Sequence, residues 1–337
     1  MISAPNFGRR LLIGLRSFDR RISMKKFILL VVLIIGSLLV AGGLFLYTPD
    51  ISAQTLKSKY SNSYSEFVKT PEATIHYRDQ GPQNAPVLLL IHGSNSSLHT
   101  WDEAADILDD KYRIISVDLL GHGLTGPNQF RRYNADSMIK SVNSVLDQAG
   151  VSRAVWVGNS MGGWLAWRAA LLTPERVNAI VLVDASGAQT SEKIKPYLAA
   201  RLAANPIGRL FLVHFSPRFL VAKSLSQTVA NRAVLTERVI DRYWELLRYP
   251  GNRQAVVDRA SEPRQDEFWN QIQYINVPTL IVWGNKDNII PLSHSRAFNI
   301  KIKGSTVVVM DNIGHLPMEE NPPQFAAILS DWLESKN

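Results

Sequence analysis

Apolar positions along this chain fall into three kinds of run, and their order predicts its architecture. The first lies between Phe27 and Tyr47, 21 residues without a charge in which Ser37 is the only clearly polar member. At about 1.5 Å per residue such a helix spans roughly 30 Å, the thickness of a bilayer's hydrocarbon core, so the run is expected to cross a membrane. The second kind is short and uninterrupted, at residues 87–91, 113–117, 154–157, 177–183, 277–284 and 305–310. Runs of this length that never alternate with polar residues suit strands buried on both faces. Helical patterns separate several of them, at residues 98–108 and 163–172 for example. That alternation predicts an α/β fold with a mostly parallel sheet and helices on both faces. Residues 64–68 and 74–77 alternate instead and read as a hairpin around Pro71.

After residue 183 the alternation stops, and the third kind of run begins. From about 187 to 265 the patterns are mostly helical, clearest over residues 236–247, before strand character returns near Pro278. The domain reading is therefore a basic tail at 1–26, a membrane helix at 27–47, a polar tether at 48–63, and one α/β domain at 64–337 carrying a helical insertion at about 187–265.

Charge changes this picture at one end. The formal net charge is +8, but the first 26 residues hold seven Arg and Lys against Asp19 alone. Little excess remains for the folded part, and nucleic acid is not an expected partner. The same asymmetry keeps the amino terminus cytoplasmic and puts the folded domain outside, on the periplasmic side in a bacterium. Met24, just ahead of Lys25 and Lys26, is a second candidate start with the same topology. The apolar run exceeds the roughly 7–15 residues of a secretory signal and is not followed by a strong cleavage site, which favours an uncleaved anchor. Cleavage after Ala53 is the competing expectation. In the insertion, 13 Arg and Lys face 6 Asp and Glu over residues 187–264. Arg238, Arg242 and Arg248 are expected on a solvated helix face, with contact to anionic headgroups as the other use.

No cysteine is present, so disulfides and a thiol nucleophile are excluded. The seven histidines show no metal-ligand spacing, and no metal or cofactor is implied. Candidate chemistry comes from Gly158-Asn159-Ser160-Met161-Gly162, which follows one apolar strand and opens a helix. Small residues two before and two after the serine allow the sharp turn that projects its hydroxyl at the end of a sheet. Asp287 and His315 each follow a later predicted strand, so Ser160, Asp287 and His315 converge on one edge. A serine hydroxyl needs a base to take its proton, and an imidazole needs an acceptor to fix its tautomer, which assigns His315 and Asp287 those roles. Asp184, after the strand preceding the insertion, is the rival acid. The loop His92-Gly93-Ser94 after the strand at 87–91 supplies one backbone N–H, at Ser94, for an oxyanion hole, and Met161 supplies the second. His92, Gly93 and Asn159 are expected to support the site. His76, His99, His214 and His294 are expected at or near the surface.

From about Glu66 onward the chain resembles the α/β-hydrolase superfamily with a helical cap. The residues that carry the resemblance are the elbow around Ser160, Asp118-Leu119-Leu120-Gly121-His122-Gly123-Leu124-Thr125, and Gly314-His315-Leu316-Pro317-Met318-Glu319-Glu320. The resemblance implies a serine hydrolase, since dehalogenases and epoxide hydrolases of this fold carry aspartate at the elbow. Gly158 to Gly163 is similar both to carboxylesterase and monoacylglycerol lipase elbows and to those of carbon–carbon bond hydrolases that cut ring-fission products. The latter usually have tryptophan after the histidine, where this chain has Leu316, so cleavage of small carboxylic esters through an acyl-enzyme is favoured. Leu210, Phe211, Leu212, Phe215, Phe219 and Leu220 are then candidates for an acyl pocket. A non-catalytic, ligand-binding member of the fold is the reading of another class. Physiological substrate and oligomeric state are not fixed by these patterns.

Overall fold

The computed structural model describes residues 24–192, 198–262 and 266–336, and the chain divides into two units at the bond between Leu46 and Tyr47. The described part of the first unit is one helix, Met24–Leu46, with mean hydropathy 2.9 in its most apolar window and no buried residue. It is long and apolar enough to cross a membrane or to act as a signal sequence. The basic tail expected at residues 1–26 lies largely outside the described residues. Tyr47, expected as the end of the apolar run, belongs to the second unit.

The second unit is organised by one eight-stranded sheet: β1 Ser65–Lys69, β2 Thr74–Gln80, β3 Val87–Ile91, β4 Arg113–Val117, β5 Ala154–Asn159, β6 Val177–Val183, β7 Thr279–Gly284 and β8 Thr306–Met310. Their spatial order is β1-β2-β4-β3-β5-β6-β7-β8. The hairpin pairs antiparallel and joins β4 antiparallel, while every pair from β4 to β8 is parallel. Leu89 and Ile91 point into a core with Trp156, Trp167, Trp283 and Phe298. Leu88 and Leu90 point into the opposite one, with Trp101, Phe325 and Trp332. Both faces of the pleat are thus covered, which explains why β3 reads as a continuous apolar run. The chain winds outward to β4 on one side of β3 and to β5 through β8 on the other. Where the winding reverses, the carboxyl ends of β3 and β5 leave a crevice.

The insertion is helical as expected, with helices Leu198–Ala203, Pro206–His214, Arg218–Leu225, Glu237–Leu247 and Asn252–Ala260. Ile240, Tyr243 and Leu246 recur at helical spacing on the buried face of Glu237–Leu247. Its basic residues do not form one solvated face. Arg238 is exposed, but Arg242 pairs with Glu319 at 2.9 Å and Arg248 donates to the Pro49 carbonyl at 2.9 Å.

The segment expected as a polar tether, residues 48–63, packs on the domain as a strap. Residues 53–60 form a helix capped by Ser52, and Leu56 is fully buried against Leu124 and Leu246. Thr48 N–H donates to the His214 carbonyl at 3.0 Å, and Lys59 and Tyr60 bond to Glu245. Arg253 donates to the Thr48 carbonyl and to Asp50, both at 2.6 Å. With Leu56 the only fully buried side chain of the eight, the segment shows no apolar periodicity, because polar groups make most of this attachment.

Three histidines expected near the surface are buried, namely His76, His99 and His294, whereas His214 is exposed. Burial, reinforced by the Arg78 charge, pushes His99 down to about 3, and burial also lowers His92, His122 and His294. Each is therefore neutral in the fold. Above about pH 6.5 the unfolded chain is neutral at these rings as well, and their contribution is fully present. As pH falls through about 6.5 the unfolded state gains protons first, so each such histidine should cost up to about 1.4 kcal/mol per pH unit until its folded value is reached. Denaturant midpoints measured between about pH 8 and 5 should fall steeply below about 6.5, and a flat profile would contradict neutral burial.

Candidate active site

Ser160 sits between β5 and the helix Met161–Leu172, with φ +54° and ψ −112°. Such a conformation costs on the order of 1–3 kcal/mol, so it persists only where surroundings enforce it. Here the Ser160 N–H donates to the Val183 carbonyl at 2.9 Å, while its own carbonyl accepts from the N–H groups of Trp164 and Ser186, each at 3.0 Å. The two flanking glycines are required by close approach. A Cβ on Gly158 would strike the Gly162 carbonyl, and one on Gly162 the Ile91 carbonyl.

His315 follows β8, and three contacts fix its loop. Its N–H donates to the Thr228 carbonyl at 2.7 Å, and its carbonyl accepts from Asn159 Nδ2 at 2.9 Å. Glu320 accepts from Gly314 N–H at 2.8 Å and, through its other oxygen, from Ala230 N–H at 2.7 Å and Asn231 N–H at 3.0 Å. His315 Nδ1 lies 2.7 Å from Asp287 Oδ2. A carboxylate only accepts, so Nδ1 carries the proton and the Nε2 lone pair stays available as a base. Asp287 Oδ1 accepts from the N–H groups of Ile289 at 2.7 Å and Ile290 at 3.0 Å. Its side chain is fully buried.

The loop after β3 approaches the elbow closely. Gly93 has no room for a Cβ, which would sit 2.9 Å from Asn159 Oδ1 and 3.1 Å from Ser160 Cβ. Ser94 Oγ donates to Met161 Sδ at 3.3 Å, joining the residues that carry the two expected oxyanion donors. His92 is a brace: Nδ1 donates to the Gly93 carbonyl at 2.7 Å and Nε2 accepts from Leu119 N–H at 3.1 Å. Both ring nitrogens are occupied by backbone, which leaves none for proton transfer.

Ser94, Asn159, Ser160, Met161 and His315 all line one cavity of about 380 Å³. The cap closes it with Phe211, Leu212, Phe215, Leu220, Val221 and Leu225. Of the six candidate acyl-pocket residues, Leu210 and Phe219 point away, at 61% and 59% exposed.

Sequence reasoning missed the latch that seats the cap. Tyr243, which also lines the cavity, donates to Glu319 at 2.6 Å, Arg242 donates to the other oxygen of Glu319, and Thr100 joins from the core. Glu319 and Glu320 stand beside the histidine in sequence, but nothing in the chain order says which partners they find 76 and 90 residues away. Glu319→Ala would remove the carboxylate that the Tyr243 hydroxyl and the largely buried Arg242 guanidinium share, leaving Arg242 only the His99 carbonyl. The expected loss is about 3–5 kcal/mol of unfolding free energy, read from urea melts. A loss below about 1 kcal/mol would show that the latch carries little.

The alpha/beta hydrolase fold family model matches residues 86–322. A curated relative, the 2-hydroxy-6-oxononadienedioate/2-hydroxy-6-oxononatrienedioate hydrolase 2 of Pseudomonas putida, is 27% identical over 284 residues, 81% of this chain and 97% of that protein. The solved structure of a candidate lipase from Acinetobacter baumannii AYE is 25% identical with a TM-score of 0.71, covering 86% of this chain and 97% of the other. A membrane phospholipase A described as a bacterial virulence factor is also 25% identical, with a TM-score of 0.67 and coverage of 93% and 99%. With the sheet, the strained elbow and the cap in place, the chain belongs to the alpha/beta hydrolase fold family, and its relatives include proteins named as hydrolases.

Proposed function

We propose that this protein is a membrane-anchored serine hydrolase that cleaves carboxylic esters of apolar acyl groups through an acyl-enzyme. The observation that carries the reading is that Ser160 and His315, the latter bonded to the buried Asp287, line one apolar cavity of about 380 Å³. That volume falls within the roughly 300–1,000 Å³ of small-molecule sites. His315 Nε2 takes the Ser160 proton as Oγ attacks the ester carbonyl, and returns it to the departing alcohol. Asp287 holds the ring and stabilises the imidazolium. The Ser94 and Met161 N–H groups receive the oxyanion, the latter at the positive end of a helix. Water then attacks the acyl-enzyme by the same route, releasing the acid and restoring Ser160.

Anchoring through residues 27–47 draws support from the strap. Cleavage after Ala53 would strip Thr48 and Asp50 from Arg253, whose side chain is only 7% exposed, and leave a buried guanidinium without those acceptors. Retention of the helix keeps the strap intact. The protein should therefore sediment with membranes, resist high salt, which screens charge but not apolar burial, and dissolve in detergent. Activity in a soluble fraction whose amino terminus lies near Gln54 would identify a cleaved signal instead.

A substrate panel tests the chemistry: aryl esters of increasing acyl length, monoacylglycerols, and a vinylogous diketone acid. Ester turnover that rises with acyl length is expected. Cleavage of the diketone acid alone would assign carbon–carbon bond hydrolysis, and the Pseudomonas putida relative is likewise named as a hydrolase of a hydroxy-oxo dioate. Absence of all turnover, with ligand binding retained, would assign the non-catalytic reading.

A further inference from the structure

Beside the His315–Asp287 pair lies a second carboxyl group that the reaction above does not use. Asp184 follows β6, is fully buried, and takes φ +45°. Its Oδ1 accepts from the Gly284 N–H at 3.0 Å, while Oδ2 has no hydrogen-bond donor in the protein. One carboxylate oxygen each of Asp184 and Asp287 and one ring nitrogen of His315 lie within 4.8 Å of one another. Two carboxylates this close, both out of water, cannot both stay ionised. The donors around each decide which keeps the charge. Asp287 receives three N–H groups, from His315, Ile289 and Ile290, whereas Asp184 receives one. A proton on Asp184 Oδ2 would also give that oxygen the partner it lacks and remove an otherwise orphaned buried acceptor.

We infer that Asp184 is held as a neutral carboxylic acid that donates its hydrogen to Asp287 and thereby positions the acid of the proposed triad. Burial first, and then the Asp287 charge, push Asp184 well above the ordinary carboxylate range, with Glu320 adding in the same direction and the Gly284 N–H opposing. The charged or titratable groups that face it are thus Asp287, Glu320 and His315. Donation from Asp184 spreads the negative charge of Asp287 and fixes the carboxylate plane against His315. The imidazolium that forms during proton transfer then faces one anion rather than two.

The inference rests on the triad reading for its catalytic consequence, but the proton itself can be observed without turnover. Infrared spectra of protein labelled with carboxyl ¹³C at aspartate should show an isotope-shifted carboxylic acid band near about pH 8. Asp102, pushed up to about 6 mainly by burial, is ionised there and does not contribute. The band should vanish in Asp184→Asn. Asparagine tolerates the positive φ, donates its amide to Asp287 and accepts from Gly284, so kcat should stay within about threefold of wild type. The acid limb of kcat/KM should then move by less than about 0.3 pH unit. Asp184→Ala, which cannot donate, should lower kcat by roughly tenfold and raise the acid limb. Absence of the band from wild type would overturn the inference, whether or not the variants fold. So would a fall of the acid limb by about one unit or more in Asp184→Asn, the result of removing an ionised neighbour. If the band is present but Ser160→Ala proves fully active, the proton on Asp184 stands and the triad reading fails.

Discussion

Ser160→Ala should reduce ester hydrolysis by roughly 10⁴-fold or more while leaving the unfolding midpoint close to wild type, the scale expected when one member of a cooperating triad is removed. Ser160 is partly exposed and its side chain lines the cavity. Its backbone bonds to Val183, Trp164 and Ser186 survive the change. The positive φ is enforced by the strand and helix on either side. A fluorophosphonate probe should label wild type at Ser160 and leave the variant unlabelled. Turnover within tenfold of wild type would remove the serine from the mechanism.

Asp287→Asn should be the next most damaging change, with kcat falling by about 10⁴-fold, because the amide offers His315 a donor where the ring needs an acceptor. The amide oxygen can still take the N–H groups of Ile289 and Ile290, so its NH₂ is left facing His315 Nδ1. The imidazole then turns to the other tautomer, and Nε2 carries the hydrogen it should be free to accept. Stability should change little, since the variant keeps the turn that Asp287 closes. Steady-state kinetics beside a melt separates the two effects. Full activity in Asp287→Asn together with loss in Asp184→Asn would transfer the acid role to Asp184.

Much of the frame was legible because it depends on local rules. Buried parallel strands read as short apolar runs, and all six expected runs became β3 to β8 with ends shifted by at most a few residues. The helical character of the insertion followed from spacing such as Ile240, Tyr243 and Leu246. Gly158 and Gly162 announced a sharp turn, since only the smallest residue fits against the carbonyls there. The burial of His76, His99 and His294 was harder to foresee. A histidine in a polar stretch looks the same whether it faces water or, like His76, bonds to Asp118 and Ser65 with both nitrogens.

By itself, then, the sequence determined the order of strands and helices, the place of the elbow, the single long apolar helix and the three candidate residues at strand ends. These follow from side-chain periodicity and backbone sterics, which act over a few residues. The tertiary structure alone decided that residues 48–60 dock as a strap, that Glu319 and Glu320 fasten cap and histidine loop, and that Asp184 stands beside Asp287. Each of these is a pairing between polar groups far apart in the chain. Hydrogen bonds and desolvation are settled by distances of a few ångströms after folding, and no local pattern records them.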